Sequence, residues 1–253
     1  MMPEAKDGNF FVGFDNNVPR SLASFALKVA ALLIGGFAML AFALGGGGED
    51  PGPGIYGDEI VVQGELHAKP YPFLRVAADR DHPAGRAILL AGDGKIGAQG
   101  DATPLDGSQV VARGAALKRG SLDMLVVGNG GLSVPAAPAG AAVPAQAPVS
   151  RGTWRLSGEI CDGKCLGGAM RPGTGLAHKA CANLCISGGQ PPVFASTGAV
   201  DGTRFFLLAD RNGGPVPDAV YDLVALPVDL EGEVERVDNM LILKVDWAKL
   251  PRR

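Results

Sequence analysis

All four cysteines of this chain fall between residues 161 and 185, together with His178, one of three histidines. His178, Cys181 and Cys185 stand at i, i+3 and i+7, and AHKACANLCIS (residues 177–187) suits a helix. An imidazole and two sulfurs would then project from one helical face. Gly188-Gly189 would end that helix. Cys165 precedes a glycine-rich loop able to fold back and supply a third sulfur. Cys165, His178, Cys181 and Cys185 thus form a Cys3His set, suited to zinc or to copper as Cu(I). Met170, in the loop, offers a thioether that suits Cu(I), and Cys161 or Asp162 offers a further ligand.

Two other chemistries compete for the same residues. In an oxidising compartment, an even set of four cysteines means two disulfides. Cys181 and Cys185 lie one helical turn apart, so each would pair with Cys161 or Cys165 rather than with the other. A redox-active dithiol is the third reading, although the spacing is C-x-x-x-C and not C-x-x-C. The C-x-x-C-H of covalent haem attachment is absent. GDGKIGAQG (residues 92–100) fits neither phosphate-binding fingerprint and reads as a glycine-rich hairpin, so there is no nucleotide or flavin signal. His67 and His82 read as surface histidines beside prolines. No Ser/His/Asp order and no paired carboxylates define a reaction, and a non-catalytic role is the expectation.

The elements that must position this set begin with an apolar run. In LASFALKVAALLIGGFAMLAFAL (residues 22–44) Lys28 is the only charge. Residues 21–44 read as a transmembrane helix that spans a core of about 30 Å. Lys6, Arg20 and Lys28 precede it or lie near its start. Glu49, Asp50, Asp58 and Glu59 follow it, with no Lys or Arg until Lys69. The bias places residues 1–20 in the cytoplasm as a tail and the rest outside the inner membrane, in the periplasm of a bacterium. A signal peptide cut after Ala41-Phe42-Ala43 is the competing reading; the long stretch before the apolar run favours an uncleaved signal-anchor. Residues 45–57 form a Gly/Pro stalk.

Beyond the stalk the chain repeats itself. IVVQGEL (60–66) parallels WRLSGEI (154–160), RAILLA (86–91) parallels RFFLLA (204–209), and residues 110–127 parallel residues 228–245. Twenty-eight residues separate Arg86 from Gly114, and twenty-eight separate Arg204 from Gly232. Gly64 to Arg86 is 22 and Gly158 to Arg204 is 46, an excess of 24 that falls where the cysteines lie. This is the mark of an internal duplication with one insertion. Each copy is a string of short apolar segments bounded by Gly, Asp and Pro. A strand with a central glycine that lets it bend sharply fits a small OB-like β-barrel. The expected fold is mainly β: one transmembrane helix, then two tandem OB-like barrels, residues 58–130 and 152–253. A Pro/Ala-rich linker (131–151) joins them, and the second carries a helical Cys/His insertion (161–189). The high counts of Gly (38) and Pro (19) agree with a turn-rich architecture. The net charge of -3, with no basic block, argues against a nucleic-acid partner.

The insertion carries Gly158, Glu159, Asp162 and Cys165, then His178, Cys181, Ala182, Cys185, Ile186, Gly189 and Pro191. This D-x-x-C…H-x-x-C-A-x-x-C pattern, over roughly residues 154–247, resembles a motif of uncharacterised exported bacterial proteins with small OB-like domains. The resemblance implies no residue equivalent to Cys161. Three cysteines cannot all pair within one domain, so it favours metal over disulfides and leaves Cys161 as a free thiol or substitute ligand. It implies no activity. The functional expectation is a membrane-anchored periplasmic accessory protein, held in the bilayer by residues 21–44 and partnered by another membrane or periplasmic protein. Its Cys/His cluster would serve metal handling or support a membrane redox complex. The alternatives are a disulfide-stapled interaction module and a thiol-disulfide oxidoreductase.

Overall fold

The computed structural model describes residues 20–45, 52–78, 80, 82–135 and 147–249. The expected cytoplasmic tail, residues 46–51 of the stalk and residues 136–146 of the linker lie outside them, Arg20 apart. The chain divides into two compact units, Met1–Glu49 and Asp50–Arg253.

In the first unit, α1 (Arg20–Gly45) is a single helix built from Ala, Leu and other apolar residues without an internal proline. Residues 22–41 are long and apolar enough to cross a membrane, as those of a signal sequence would also be. Leu27, Leu32 and Met39 are exposed, which separates α1 from the core helix of a soluble domain.

The second unit is mainly β. Its first five strands are β1 (Ile55–His67), β2 (Phe73–Val76), β3 (Arg86–Gly92), β4 (Gln109–Arg119) and β5 (Leu122–Ser133). They close into a barrel in the order β1-β2-β3-β5-β4. The single-turn α2 (Gln99–Ala102) lies between β3 and β4. The remaining strands are β6 (Val149–Asp162), β7 (Pro192–Val200), β8 (Thr203–Asp210), β9 (Pro227–Val237) and β10 (Met240–Val245). They close in the order β6-β7-β8-β10-β9, the same order moved five strands along the chain. Each ring has one parallel pairing, β3 with β5 and β8 with β10.

Glycines occupy matching places where a strand passes close to its neighbour's backbone. A Cβ on Gly64 would overlap the Arg75 carbonyl, and one on Gly158 the Ala195 carbonyl. Gly114 and Gly232 meet the carbonyls of Val126 and Lys244 in the same way. Only a residue without a side chain lets each strand turn this tightly.

The strands RAILLAG and RFFLLAD are apolar on both faces because both faces are covered. One face fills a barrel: Leu66, Leu74, Ile88, Leu90 and Leu125 in the first ring, and Leu156, Ile160, Phe194, Phe206 and Leu243 in the second. The other face joins the rings in a shared cluster that includes Tyr71, Phe73, Leu89, Met124, Cys161, Val193, Phe205 and Ile242. At one edge of this seam, buried Arg75 makes a two-pronged pair with Asp238, Nε to Oδ2 at 2.9 Å and Nη2 to Oδ1 at 2.7 Å. The Ala87 N–H donates to Asn239 Oδ1 at 2.7 Å beside it.

The rings differ most between their first and second strands. Five residues, 68–72, join β1 to β2, whereas residues 163–191 join β6 to β7. The 24-residue excess read from the sequence falls in that connection, which contains α3 (Lys179–Ser187).

Candidate metal centre

The centre begins at the end of β6, where neighbouring side chains point to opposite faces. Cys161 enters the apolar seam, and Asp162 faces the long connection. Asp162 then shapes the turn that follows. Its Oδ1 accepts from the Lys164 N–H at 3.0 Å and its Oδ2 from the Cys165 N–H at 3.3 Å, an Asx-type turn that sets Cys165 beside it. A short helical turn, Cys165–Ala169, leads into the glycine-rich loop. Glu159 holds that loop back against β6, its Oε1 accepting from the Gly175 N–H at 2.5 Å.

His178 closes a 3-10 turn, Leu176–His178, and stands at the junction with α3. The helix begins two residues later than the sequence pattern suggests, but the i, i+3, i+7 set still shares a face. Ala182 and Ile186 pack into the second barrel's core and fix the helix's rotation. On its other side, Lys179 Nζ donates to the carbonyls of Asp222 (3.0 Å) and Val224 (2.9 Å). Gly188 and Gly189, the latter at φ 92°, terminate the helix.

Two overlapping groups of donors result. The ligand atoms of Cys165, His178 and Cys181 all lie within 4.8 Å of one another, as do those of Asp162, Cys165 and Cys185. Cys165 belongs to both. Donors around one tetrahedral ion at zinc-like bond lengths are about 3.3–3.8 Å apart, so each trio lies close to coordination spacing, and the two trios meet only at Cys165. Asp162, Cys165, His178 and Cys185 are buried and Cys181 is half-buried. His178 Nε2 is buried with no hydrogen-bond partner, and Asp162 Oδ2 lies 3.9 Å away, beyond hydrogen-bond reach. A buried nitrogen left without a proton donor or acceptor is costly unless something else takes its lone pair. All four cysteines are free thiols.

The electrostatics oppose ionisation of the two buried thiols, so an ion bound here would have to displace their protons. Burial first, then the Asp162 charge, pushes the Cys165 thiol well above its usual range and the Cys185 thiol to about 11. Burial also works against the Asp162 carboxylate, but His178, Cys165, Cys185 and the Lys164 backbone N–H together outweigh it and hold that carboxyl below its usual range. A pre-formed carboxylate beside reluctant thiols is a setting that a divalent cation reverses. A divalent cation held by Cys165, His178, Cys181 and Cys185 would supply the positive charge that favours the thiolates.

The structure therefore brings Cys165, His178, Cys181, Cys185 and Asp162 together. It puts Cys161 on the opposite face of β6, where burial and the neighbouring Glu159 raise its thiol. Met170 is exposed in the loop and belongs to neither group. His67 stacks on Phe73 in the first ring, with centroids 5.0 Å apart, and His82 lies beside Arg86; neither joins a metal-capable group among the described residues. Sequence reasoning missed Lys95, whose Nζ stands 3.1 Å from Cys181 Sγ and 3.9 Å from Cys185 Sγ. It also missed Gln190, which ties the first ring to the end of α3. Lys95 lies in the run read only as a hairpin, 86 residues before Cys181, so no local spacing could link them.

Comparison with known proteins gives no relatives: no family model, no curated protein and no solved structure matches this chain.

Proposed function

We propose that this chain is a membrane-anchored periplasmic protein whose Cys165, His178, Cys181 and Cys185 bind one transition-metal ion, with Asp162 as an adjoining carboxylate ligand or partner. The observation that carries this reading is the convergence of five donor side chains, four of them buried, around Cys165 with no sulfur–sulfur bond among them. A carboxylate within the set, and Met170 outside it, favour zinc over Cu(I), which prefers an all-soft environment. The two barrels are read as OB-like and as products of one duplication. The shared strand order, the matched glycines and the localised 24-residue excess support this. The charge bias around α1 supports a cytoplasmic N-terminus.

The role is accessory: metal handling, or support of a membrane-associated redox complex. A soft-donor site carried on a barrel frame behind a membrane-spanning segment supports that class. The test is metal analysis of the full chain purified in mild detergent, run with thiol counting after denaturation. One metal per chain with four reduced thiols is the expected result. No metal with few free thiols would replace this reading by a disulfide-stapled module. A readily reduced pair at an oxidising potential would replace it by a thiol oxidoreductase.

A further inference from the structure

The run GDGKIGAQG supplies no ligand, yet it brings a cation to the sulfur cluster. Residues 93–98 leave the end of β3 in the first ring and lie across the end of α3 in the second. The approach is backbone to backbone. The Gly97 N–H donates to the Gly188 carbonyl at 2.8 Å. A Cβ on Gly97 would overlap the Gly189 carbonyl, and one on Gly188 the Lys95 carbonyl.

Buried polar groups of the second ring hold the run in place. Gln190 is fully buried; its Oε1 accepts from the Gly92 N–H at 3.2 Å, and its Nε2 donates to the carbonyls of Gly92 (2.8 Å) and Ile96 (2.9 Å). Lys164 Nζ donates to the Gly92 carbonyl at 3.0 Å and to that of Gly94. The backbone is thus fixed on both sides of Lys95, whose own ammonium reaches Cys181 at 3.1 Å and Cys185 at 3.9 Å. Cys181 is the one donor of the five that is not buried.

We propose that Lys95 is a cationic cap on the metal centre, supplied by the first ring, and that it governs how firmly the second ring holds its ion. The proposal rests on the metal reading above. A divalent ion bound by three thiolates and a neutral imidazole carries a net charge of about −1, and more with an ionised Asp162. A fixed positive charge at the exposed sulfur offsets that excess, and its N–H···S bond occupies the lone pair that an incoming proton would use to free Cys181 from the ion and open a position to a chelator. Ligand exchange starts at the exposed donor, so the cap guards the exit. Lys95 acts through Cys181 and is a positioning residue, not a ligand.

The test uses the full chain in mild detergent, as wild type, Lys95→Met and Lys95→Arg, each loaded with zinc. Zinc per chain is measured first, then the rate of zinc transfer to an excess of a chromogenic chelator at low and at high salt. Lys95→Met keeps the aliphatic stem without the charge, and release on the order of tenfold faster is expected. Lys95→Arg should stay near wild type, and the gap should narrow at high salt, where an exposed charge is screened. The metal-free melting temperature should not change. Equal release from wild type and Lys95→Met would overturn the cap while leaving the metal site intact. So would fast release from both variants together with lowered melting, which marks a packing role. Zinc uptake by no variant, wild type included, would overturn the metal reading and the cap together.

Discussion

The same position in two rings of the same strand order carries five residues in one and twenty-nine in the other. In the first ring, Ala68, Pro70, Tyr71 and Pro72 are buried and the connection offers no soft donor. Its backbone is pinned locally: the Ala68 N–H donates to Asp106 Oδ1 at 2.8 Å, and the Ala68 carbonyl accepts from Gln99 Nε2 at 2.9 Å. In the second ring the connection holds three of the four cysteines and His178. Both connections nevertheless reach the seam, where Tyr71 and Leu166 share one apolar cluster. The barrels are therefore a frame, and the chemistry is written into one connection. The frame's contribution is to bring the first ring's glycine-rich run within reach of the second ring's sulfurs.

The largest effect expected from breaking this contrast is at Cys165, the donor shared by both groups. Cys165→Ser should abolish stoichiometric metal and lower affinity by more than about 100-fold, beyond the roughly 10–100-fold that outer partners cost. Cys161→Ser, on the opposite face of β6, should leave affinity unchanged. Competition against chelators of graded strength reads both values. If the two serine variants weaken binding equally, the division of β6 into a seam face and a metal face is wrong.

How much of this was legible beforehand follows from where each signal sits along the chain. His178, Cys181 and Cys185 could be read as one cluster because helical spacing is local, and Asp162 and Cys165 because they stand three residues apart beside it. The extra residues could be located because offsets between repeated segments survive without knowing the fold. RAILLAG and RFFLLAD also carried a signal for the seam, being apolar on both faces, but a run of that kind does not say which surface covers it. Lys95, Gln190 and the Arg75–Asp238 pair were invisible for the same reason. Each depends on how one ring sits against the other, a relation set by faces far apart in sequence. Nearness along the chain also offered Met170 and Cys161 as further ligands: Met170 stands exposed and outside both groups, and Cys161, whose alternative reading was a free thiol, is one on the seam face of β6.

A second prediction concerns the short connection. Tyr71 is buried in the seam, and burial first, opposed by the Val216 N–H that donates to its hydroxyl at 3.3 Å, raises its pKa to about 12. Its neutral form is favoured in the folded chain. The stabilisation is fully present below about pH 10, where the unfolded tyrosine is also neutral. It is lost as pH rises from about 10 to about 12, by about 2–3 kcal/mol for a shift of this size. Tyr71→Phe lacks the titrating group but leaves the Val216 N–H without its acceptor, at a cost of about 1 kcal/mol that does not vary with pH. The two stability curves, measured by chemical denaturation, should therefore cross near pH 11, with the wild type the more stable below. Parallel curves through that range would mean that Tyr71 is not held neutral by the seam.

The smallest effects test whether the two frames are equivalent beneath their different connections. Gly114 and Gly232 occupy matching places in β4 and β9, and a Cβ at either would press on the next strand's backbone, on the carbonyls of Val126 and Lys244. Backbone cannot swing aside as a flexible side chain can, so both strands must shift. Gly114→Ala and Gly232→Ala should each cost about 1–3 kcal/mol, the range typical of overpacking a tight interior. The informative quantity is the difference between them. Neither glycine lies in the long connection or in the 93–98 run, so zinc loading should raise the stability of both variants by the same increment as in the wild type, set by ion concentration against affinity. If Gly232→Ala also weakens zinc binding while Gly114→Ala does not, β9 takes part in shaping the centre, and the separation of frame from connection fails in the second ring.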